Sequence, residues 1–350
     1  MPSVAPSPAI NEALAPEAVA REARIGLTST PKTISPWLFY DESGSDLFEQ
    51  ITDLPEYYLT RTERSIFIAH ADEIIARAIT KSPAATITQP APMLTLIELG
   101  AGTATKTGIL LAAIVRQQGS VVYQPVDVSE SALAAATENI LTNIPGVSVR
   151  CQVADYTTQP LPENRLPHTR TLALYIGSSI GNFAPHDAVE VLANLRAQLQ
   201  PGDILLLGTD LAPAPEASPR KTTAHLLAAY DDAAGITAAF NLNVLSRLNR
   251  DLGTDFDLEN FSHQARWNPR DSRIEMHLES LTTQQVHLPA NSAGPAITLH
   301  FTPGETIHTE NSYKFTPATI ARLLTSSSFA PTQTWHDPQH FFAVTLATAV

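Results

Sequence analysis

Residues 93–110 constrain the fold more than any other stretch. Met93–Leu99 reads Met-Leu-Thr-Leu-Ile-Glu-Leu, Gly100-Ala-Gly-Thr then interrupts it, and Lys106–Val115 resumes with helical spacing. A nearly continuous apolar run of this length reads as a parallel strand buried on both faces. Strand, glycine turn and helix form the opening unit of a nucleotide-binding α/β fold. The glycines let backbone N–H groups approach a ligand where a Cβ would collide. Three residues after the second glycine stands Thr105. The third glycine of a dinucleotide fingerprint is therefore missing, and a pyrophosphate site is disfavoured.

The next strand, Val121–Val128, carries Asp127, which stands 25 residues beyond Gly102. An acidic residue at that offset accepts hydrogen bonds from ribose hydroxyls. Ser129 caps the following helix, with Glu130 in its first turn. Further strands are expected at Val147–Val153, Thr171–Ile176 and Ile204–Gly208. The alternation predicts a doubly wound parallel sheet. Ligands of such sheets bind beyond the carboxyl ends of the strands. Tyr175-Ile-Gly-Ser-Ser-Ile-Gly-Asn-Phe183 ends one strand, so Gly177 and Asn182 are expected at the crevice, a helix cap being the alternative for Asn182. Glu-Leu-Gly-Ala-Gly-Thr at 98–103 resembles motif I of class I methyltransferases that use S-adenosylmethionine (SAM). In such a site, Asp155 and Tyr156 after the third strand correspond to residues that contact the adenine.

The chain has 350 residues with a net charge of −13 and no Lys/Arg run. That balance argues against a nucleic-acid substrate, whose phosphates would have to be neutralised. A small zwitterionic or cationic substrate suits it better. One cysteine, Cys151, precludes an intramolecular disulfide and fits a reducing cytoplasm. No apolar run reaches the length of a membrane span, and Met1–Ile10 lacks the charge and apolar core of a signal peptide. Residues 1–17 read as a largely disordered Pro/Ser-rich lead. Helical spacing runs over Asn11–Leu27, Ser45 and Thr62 are candidate helix caps, and 81–93 is a linker. The histidines are scattered, and Pro338 separates His336 from His340. No metal site is expected.

Several segments together point to one family. Trp37-Leu-Phe-Tyr-Asp, Gly44-Ser-Asp-Leu-Phe, Pro55-Glu-Tyr-Tyr and Thr60-Arg-Thr-Glu come first. Gly177-Ser-Ser-Ile-Gly-Asn, Tyr230-Asp-Asp-Ala-Ala-Gly-Ile-Thr-Ala-Ala-Phe-Asn and Thr309-Glu-x-Ser-x-Lys-Phe follow. The chain resembles, over residues 20–350, the histidine-specific methyltransferases of ergothioneine biosynthesis. Those enzymes use SAM to trimethylate the α-amine of L-histidine, giving hercynine. The resemblance implies that Gly100, Lys106, Asp127, Asp155 and Tyr156 hold SAM. It implies that Tyr40, Tyr57, Gly177, Asn182, Tyr230, Met276, Glu310 and Ser312 hold histidine. Asn182 and Tyr57 would position the amino acid head, and Glu310, Ser312 and Met276 would surround the imidazole. Tyr40 and Asp155 are both candidates to accept the amine proton. Leu59 departs from a usual proline, and Ala101 and Ala104 stand in the glycine turn.

The expected architecture is a class I SAM methyltransferase, a Rossmann-like doubly wound sheet, with a second α+β subdomain. The core takes 62–215 and 316–350, and the substrate subdomain takes 18–61 and 216–315. Within the latter, Trp267 and Ile274–Ser280 pair around Asn268-Pro-Arg-Asp, and Thr298–Phe301 pairs with Thr306–Phe315. Phe341–Leu346 is the final antiparallel strand. A monomer is expected, with no nucleic-acid or membrane partner. Within the same fold, a relative acting on a tryptophan derivative is the alternative. Glu310 argues against it, since an indole has one donor and an imidazole two nitrogens. A non-catalytic SAM-binding module is disfavoured by the full set of site residues.

Overall fold

The computed structural model of the chain describes residues 16–80, 93–157, 159–161, 167–214 and 221–350. In chain order the elements begin with α1 (Pro16–Thr28), β1 (Lys32–Thr33), α2 (Glu42–Asp53) and α3 (Tyr58–Ile79). The parallel strands follow with their helices: β2 (Met93–Leu99), α4 (Thr107–Gln118), β3 (Val121–Asp127), α5 (Glu130–Asn143), β4 (Val147–Val149), β5 (Gln152–Val153), β6 (Thr169–Tyr175), α6 (Pro185–Ala197) and β7 (Ile204–Asp210). Then come α7 (Thr223–Ala228), α8 (Ile236–Leu252), β8 (Phe261–Asn268), β9 (Arg273–Ser280), β10 (Gln284–Leu288), β11 (Ile297–Phe301) and β12 (Thr306–Tyr313). The chain closes with α9 (Pro317–Ser326), β13 (Phe329–His336) and β14 (Phe342–Ala349).

Two units result: a core unit of Leu59–Lys221 with Lys314–Val350, and an inserted unit of the residues up to Tyr58 with Thr222–Tyr313. The core sheet runs β13-β14-β7-β6-β2-β3-β4, with β5 also on β3. Strands β2, β3, β4, β6 and β7 are mutually parallel. The end strands β14 and β13 are antiparallel. Leu94, Leu96, Leu172, Leu174 and Leu205 are buried, as both-faces-covered strands require. The chain moves from β2 to β3 on one side and later to β6 on the other. The ends of β2 and β6 thus flank the reversal point of the strand order, where such sheets bind ligands.

The inserted unit carries a sheet in the order β1-β12-β9-β8 and a separate hairpin, β10-β11. On β9 the buried Ile274, Met276 and Leu278 alternate with the more exposed Arg273, Glu275 and Glu279. His277, on the second face, is also buried.

The chain crosses between units at 58/59, 221/222 and 313/314, against expected cuts at 61/62, 215/216 and 315/316. The second and third shifts toward the core have a physical cause. Asp210, at the end of β7, is fully buried; Lys221 Nζ bonds its Oδ1, and Lys314 Nζ lies 2.8 Å from its Oδ2. A buried carboxylate is tolerated only when paired, so both lysines belong with the sheet. Burial raises the Asp210 carboxyl, but the two ammonium groups outweigh it and hold it below its usual range. Burial lowers Lys221 to about 8 despite Asp210.

Several local expectations are corrected. Strands β11 and β12 do not pair with each other. Strand β11 pairs with β10, while β12 pairs with β9 and, in parallel, with β1. The turn between them is tied elsewhere: the Gly304 N–H donates to the Ser280 carbonyl at 2.8 Å, so the chain passes from one sheet to the other. Asp41, not Ser45, caps α2, accepting from the Gly44 N–H at 2.8 Å. Asp41 also binds Asn243 and Arg250 of α8, which fixes the helix start there. Thr62 lies inside α3, where its hydroxyl donates to the Leu59 carbonyl at 2.9 Å. The strand expected over Val147–Val153 is two short ones, pairing with Val121–Tyr123 and Val126–Asp127 of β3, because Pro125 between these has no N–H to give the ladder. Helix α1 starts at Pro16, inside the expected lead, and β14 starts at Phe342 and runs to Ala349. The rest of the expected lead, 1–15, and nearly all of the expected linker, 81–92, lie outside the described residues.

Candidate functional site

In the core unit the glycine turn after β2 is held in the left-handed region at three positions: Gly100 (φ 68°), Gly102 (φ 50°) and Ala104 (φ 53°). Glycine adopts this backbone without strain, whereas an alanine there is uncommon. A Cβ on Gly102 would meet nothing within 4 Å, so the turn has open space beside it. The Gly102 and Ser129 N–H groups each donate to Asp127 at 2.9 Å, one to each carboxylate oxygen. Burial pushes the Asp127 carboxyl up, opposed by those backbone donors. A carboxylate has about four acceptor positions, so Asp127 can still accept from a diol.

Tyr156 packs on the same turn: a Cβ on Gly100 would lie 3.5 Å from its ring. Its ring meets Tyr175 edge-on at 5.6 Å, and the Tyr175 hydroxyl donates to the Tyr156 oxygen at 3.3 Å. Burial pushes Tyr156 up to about 12, so it stays a neutral flat surface. Asp155 accepts from the Thr157 N–H and hydroxyl at 2.9 and 2.6 Å.

Lys106, just before α4, reaches the fully buried Glu63 of α3. The same carboxylate accepts the Gly177 N–H at 2.9 and 3.0 Å. From Gly177 (φ 76°) and Ser178 (φ 60°) the chain enters the turn Ser179–Asn182. Asn182 is half-buried and caps no helix, since α6 begins after Ala184. Glu98, the acidic residue before the glycines, is buried. It accepts from Thr107 at 2.6 Å and from the Tyr123 hydroxyl. It thereby ties β2 to α4 and β3.

In the inserted unit a second group assembles. Glu310 and Ser312 are buried on β12, while Asn311 and Tyr313 are partly exposed. A strand places residues i and i+2 on one face. Met276 of β9 is the register partner of Glu310 and is buried. The Tyr230 hydroxyl lies 2.7 Å from the Ser312 hydroxyl. Tyr57 meets Tyr230 edge-on at 6.2 Å, Phe48 meets Tyr57 at 6.3 Å, and Tyr40 meets Phe48 at 5.6 Å. Behind them, Asn241 donates to His263 Nδ1 at 2.9 Å, and His263 Nε2 donates to the Tyr230 carbonyl at 2.8 Å. Burial lowers His263, so it stays neutral with the proton on Nε2.

The thirteen residues singled out from sequence thus fall into two groups. Gly100, Lys106, Asp127, Asp155, Tyr156, Gly177 and Asn182 lie in the core unit. Tyr40, Tyr57, Tyr230, Met276, Glu310 and Ser312 lie in the inserted unit. Sequence reasoning missed Glu63, His263 and Asn241. Glu63 stands inside a quoted motif, but a glutamate on a helix gives no sign that it is buried. His336 and His340 are stacked, with ring centroids 4.8 Å apart. Among the described residues, the one group of three potential metal ligands is His186, Asp187 and Glu190, all exposed on α6. No described helix is long and apolar enough to cross a membrane.

The core-unit group suits SAM: an open left-handed turn, a carboxylate for ribose hydroxyls, an aromatic face and an ammonium for a carboxylate. A family model described as histidine-specific methyltransferase, SAM-dependent, matches residues 19–349. The chain is 42% identical to the histidine N-alpha-methyltransferase of Mycolicibacterium smegmatis over 95% of both chains. It is 39% identical to that of Mycobacterium tuberculosis over 94% of both. It is 29% identical to ergothioneine biosynthesis protein 1 of Schizosaccharomyces pombe, covering 83% of this chain and 36% of that protein.

Proposed function

Since the chain belongs to the family of histidine-specific, SAM-dependent methyltransferases, we propose that it transfers methyl groups to the α-amine of L-histidine, up to the trimethylated product hercynine. SAM supplies a methyl group on a positively charged sulfur. Asp127 takes the ribose hydroxyls, Tyr156 and Asp155 the adenine, and Lys106 the methionine carboxylate. Gly100 leaves room for the backbone approach. The residues carry no covalent step. In-line displacement asks for the amine nitrogen about 3–3.5 Å from the methyl carbon, opposite the sulfur. It also asks for a neutral amine with a free lone pair.

The amino acid is oriented by hydrogen bonds. An Asn182 amide offers two donors and one acceptor to the amino acid head, and the Tyr57 and Tyr230 hydroxyls add to them. Glu310 accepts from an imidazole N–H, and Ser312 faces the ring as donor or acceptor. The observation that carries the reading is the burial of Glu310 and Ser312 on one face of β12, with the Tyr230 hydroxyl on Ser312. A buried carboxylate beside two hydroxyls suits a ring with two nitrogens better than an indole. We read the protein as a cytoplasmic monomer whose chemistry requires no metal.

The test is incubation of the protein with SAM and an equimolar mixture of the protein amino acids, read by mass spectrometry. Mono-, di- and trimethylated histidine should be the dominant products. Methylation of another amino acid in preference to histidine would overturn the assignment.

A further inference from the structure

Glu63 is fully buried, and its carboxylate serves two segments that are far apart in sequence. Lys106 Nζ pairs with Oε2, and the Gly177 N–H is shared between Oε1 and Oε2 at 2.9 and 3.0 Å. One segment leads into α4 from the glycine turn, and the other is the turn after β6. Gly208 on β7 makes room for this arrangement: a Cβ there would lie 2.0 Å from Glu63 Oε1. A Cβ on Gly177 would lie 3.6 Å from Lys106 Nζ, so the ammonium sits directly beside that turn. A flexible lysine is thereby held at one point between the two loops that end β2 and β6.

We propose that Glu63 is a positioning residue that fixes Lys106 for the carboxylate of SAM, and that Gly208 is glycine to admit the Glu63 carboxylate. The inference rests on the reading of Lys106 as a cofactor residue. A lysine ammonium is a point charge on a four-carbon stem with three rotatable donors. Its contribution to binding depends on being held before the ligand arrives. Glu63 supplies that restraint without touching the ligand, because its side chain is fully buried.

The test is SAM affinity by calorimetry on the full chain for Glu63→Gln, Gly208→Ala, Lys106→Met and the two doubles with Lys106→Met. Glu63→Gln keeps an acceptor for Gly177 and the side-chain volume but removes the ion pair. Gly208→Ala keeps the charge and displaces the carboxylate end. Each should weaken SAM binding by about tenfold or more. In the Lys106→Met background each should cost less than about twofold further, because coupled residues are not additive. At saturating SAM, kcat should stay within about threefold of wild type, since the loss lies in binding.

Either single variant binding SAM normally while Lys106→Met does not would overturn the proposal. So would losses that multiply in full in the doubles, which mark a purely structural role. Normal binding by Lys106→Met would instead overturn the cofactor reading of Lys106, and the proposal with it. If Glu63→Gln does not fold, Gly208→Ala alone decides, since its Cβ displaces chiefly the Glu63 carboxylate and asks the Ile176 Cα, 3.3 Å away, to give only slightly.

Discussion

Tyr230 on the turn after α7 and Ser312 on β12 are 82 residues apart in sequence, yet their hydroxyl oxygens lie 2.7 Å apart in a buried setting. Neither side chain is placed by its neighbours alone. Tyr230 is held from behind by His263 on its carbonyl, and Ser312 by the register of β12 against β9.

Tyr230→Phe removes this hydroxyl and keeps the ring. The histidine KM is expected to rise about tenfold, the cost of one buried hydrogen bond to a charged or polar partner. SAM affinity should not change. Steady-state kinetics with histidine varied, alongside calorimetry with SAM, separates the two. An unchanged histidine KM would remove Tyr230 from the substrate residues.

Glu310 and Met276 face each other across β12 and β9. If Glu310 accepts from the imidazole as proposed, Glu310→Ala leaves that N–H unpaired, a loss of about 1–3 kcal/mol. It also removes a charge and volume, and Met276→Val enlarges the same place. The double variant is expected to lose its preference for histidine and to gain activity on tryptophan. Competition between the two amino acids for limiting SAM measures this as the ratio of methylated products. A ratio equal to that of the wild type would separate these residues from specificity.

Asp127 joins the glycine turn to the second strand through Gly102 and Ser129. Asp127→Ala removes both this link and the proposed acceptor for ribose hydroxyls. Each charge-assisted bond is worth about 1.5–3 kcal/mol, so SAM affinity should fall at least about tenfold. Circular dichroism should show the fold intact. If calorimetry finds the wild-type affinity, Asp127 is only a turn residue.

The parts of this molecule that were legible in the sequence are those written in local pattern. Strand β2 was bounded by its apolar run and glycines, and Ser129 by its place before a helix; the i, i+2 logic put Glu310 and Ser312 on one face. What was not legible depends on distant partners. Sequence order pairs β12 with its nearest neighbour, β11, whereas the turn at Gly304 binds Ser280 and sends it to β9. Ser45 and Thr62 have the chemistry of caps, but the helix starts are set by Asp41, through its contacts with α8, and by the chain entering α3 at Tyr58. In sequence Glu63 is one more helix carboxylate; only the fold brings it to the Gly177 N–H and against Lys106.

Glu98 makes a prediction about pH. It is buried at the end of β2, accepting from the Thr107 and Tyr123 hydroxyls. Burial pushes its pKa from an ordinary 4.5 to about 7, more than its two hydroxyl donors and Lys106 can offset. The folded protein therefore keeps a proton that the unfolded chain has released between pH 4.5 and 7. In that window the native state binds more protons, so this group's contribution to stability falls as pH rises. It is fully present below the unfolded pKa and lost above the folded one, a swing of about 3 kcal/mol. Glu98→Gln is a neutral isostere whose amide both hydroxyls can meet by rotating. Relative to wild type, its melting temperature should be several degrees higher at pH 8 than at pH 5, at about 2–4 °C per kcal/mol for larger chains. Thermal melts of both proteins across that range test this. Curves that stay parallel from pH 5 to 8 would mean that the folded-state carboxyl of Glu98 is not raised into this range, and would overturn the prediction.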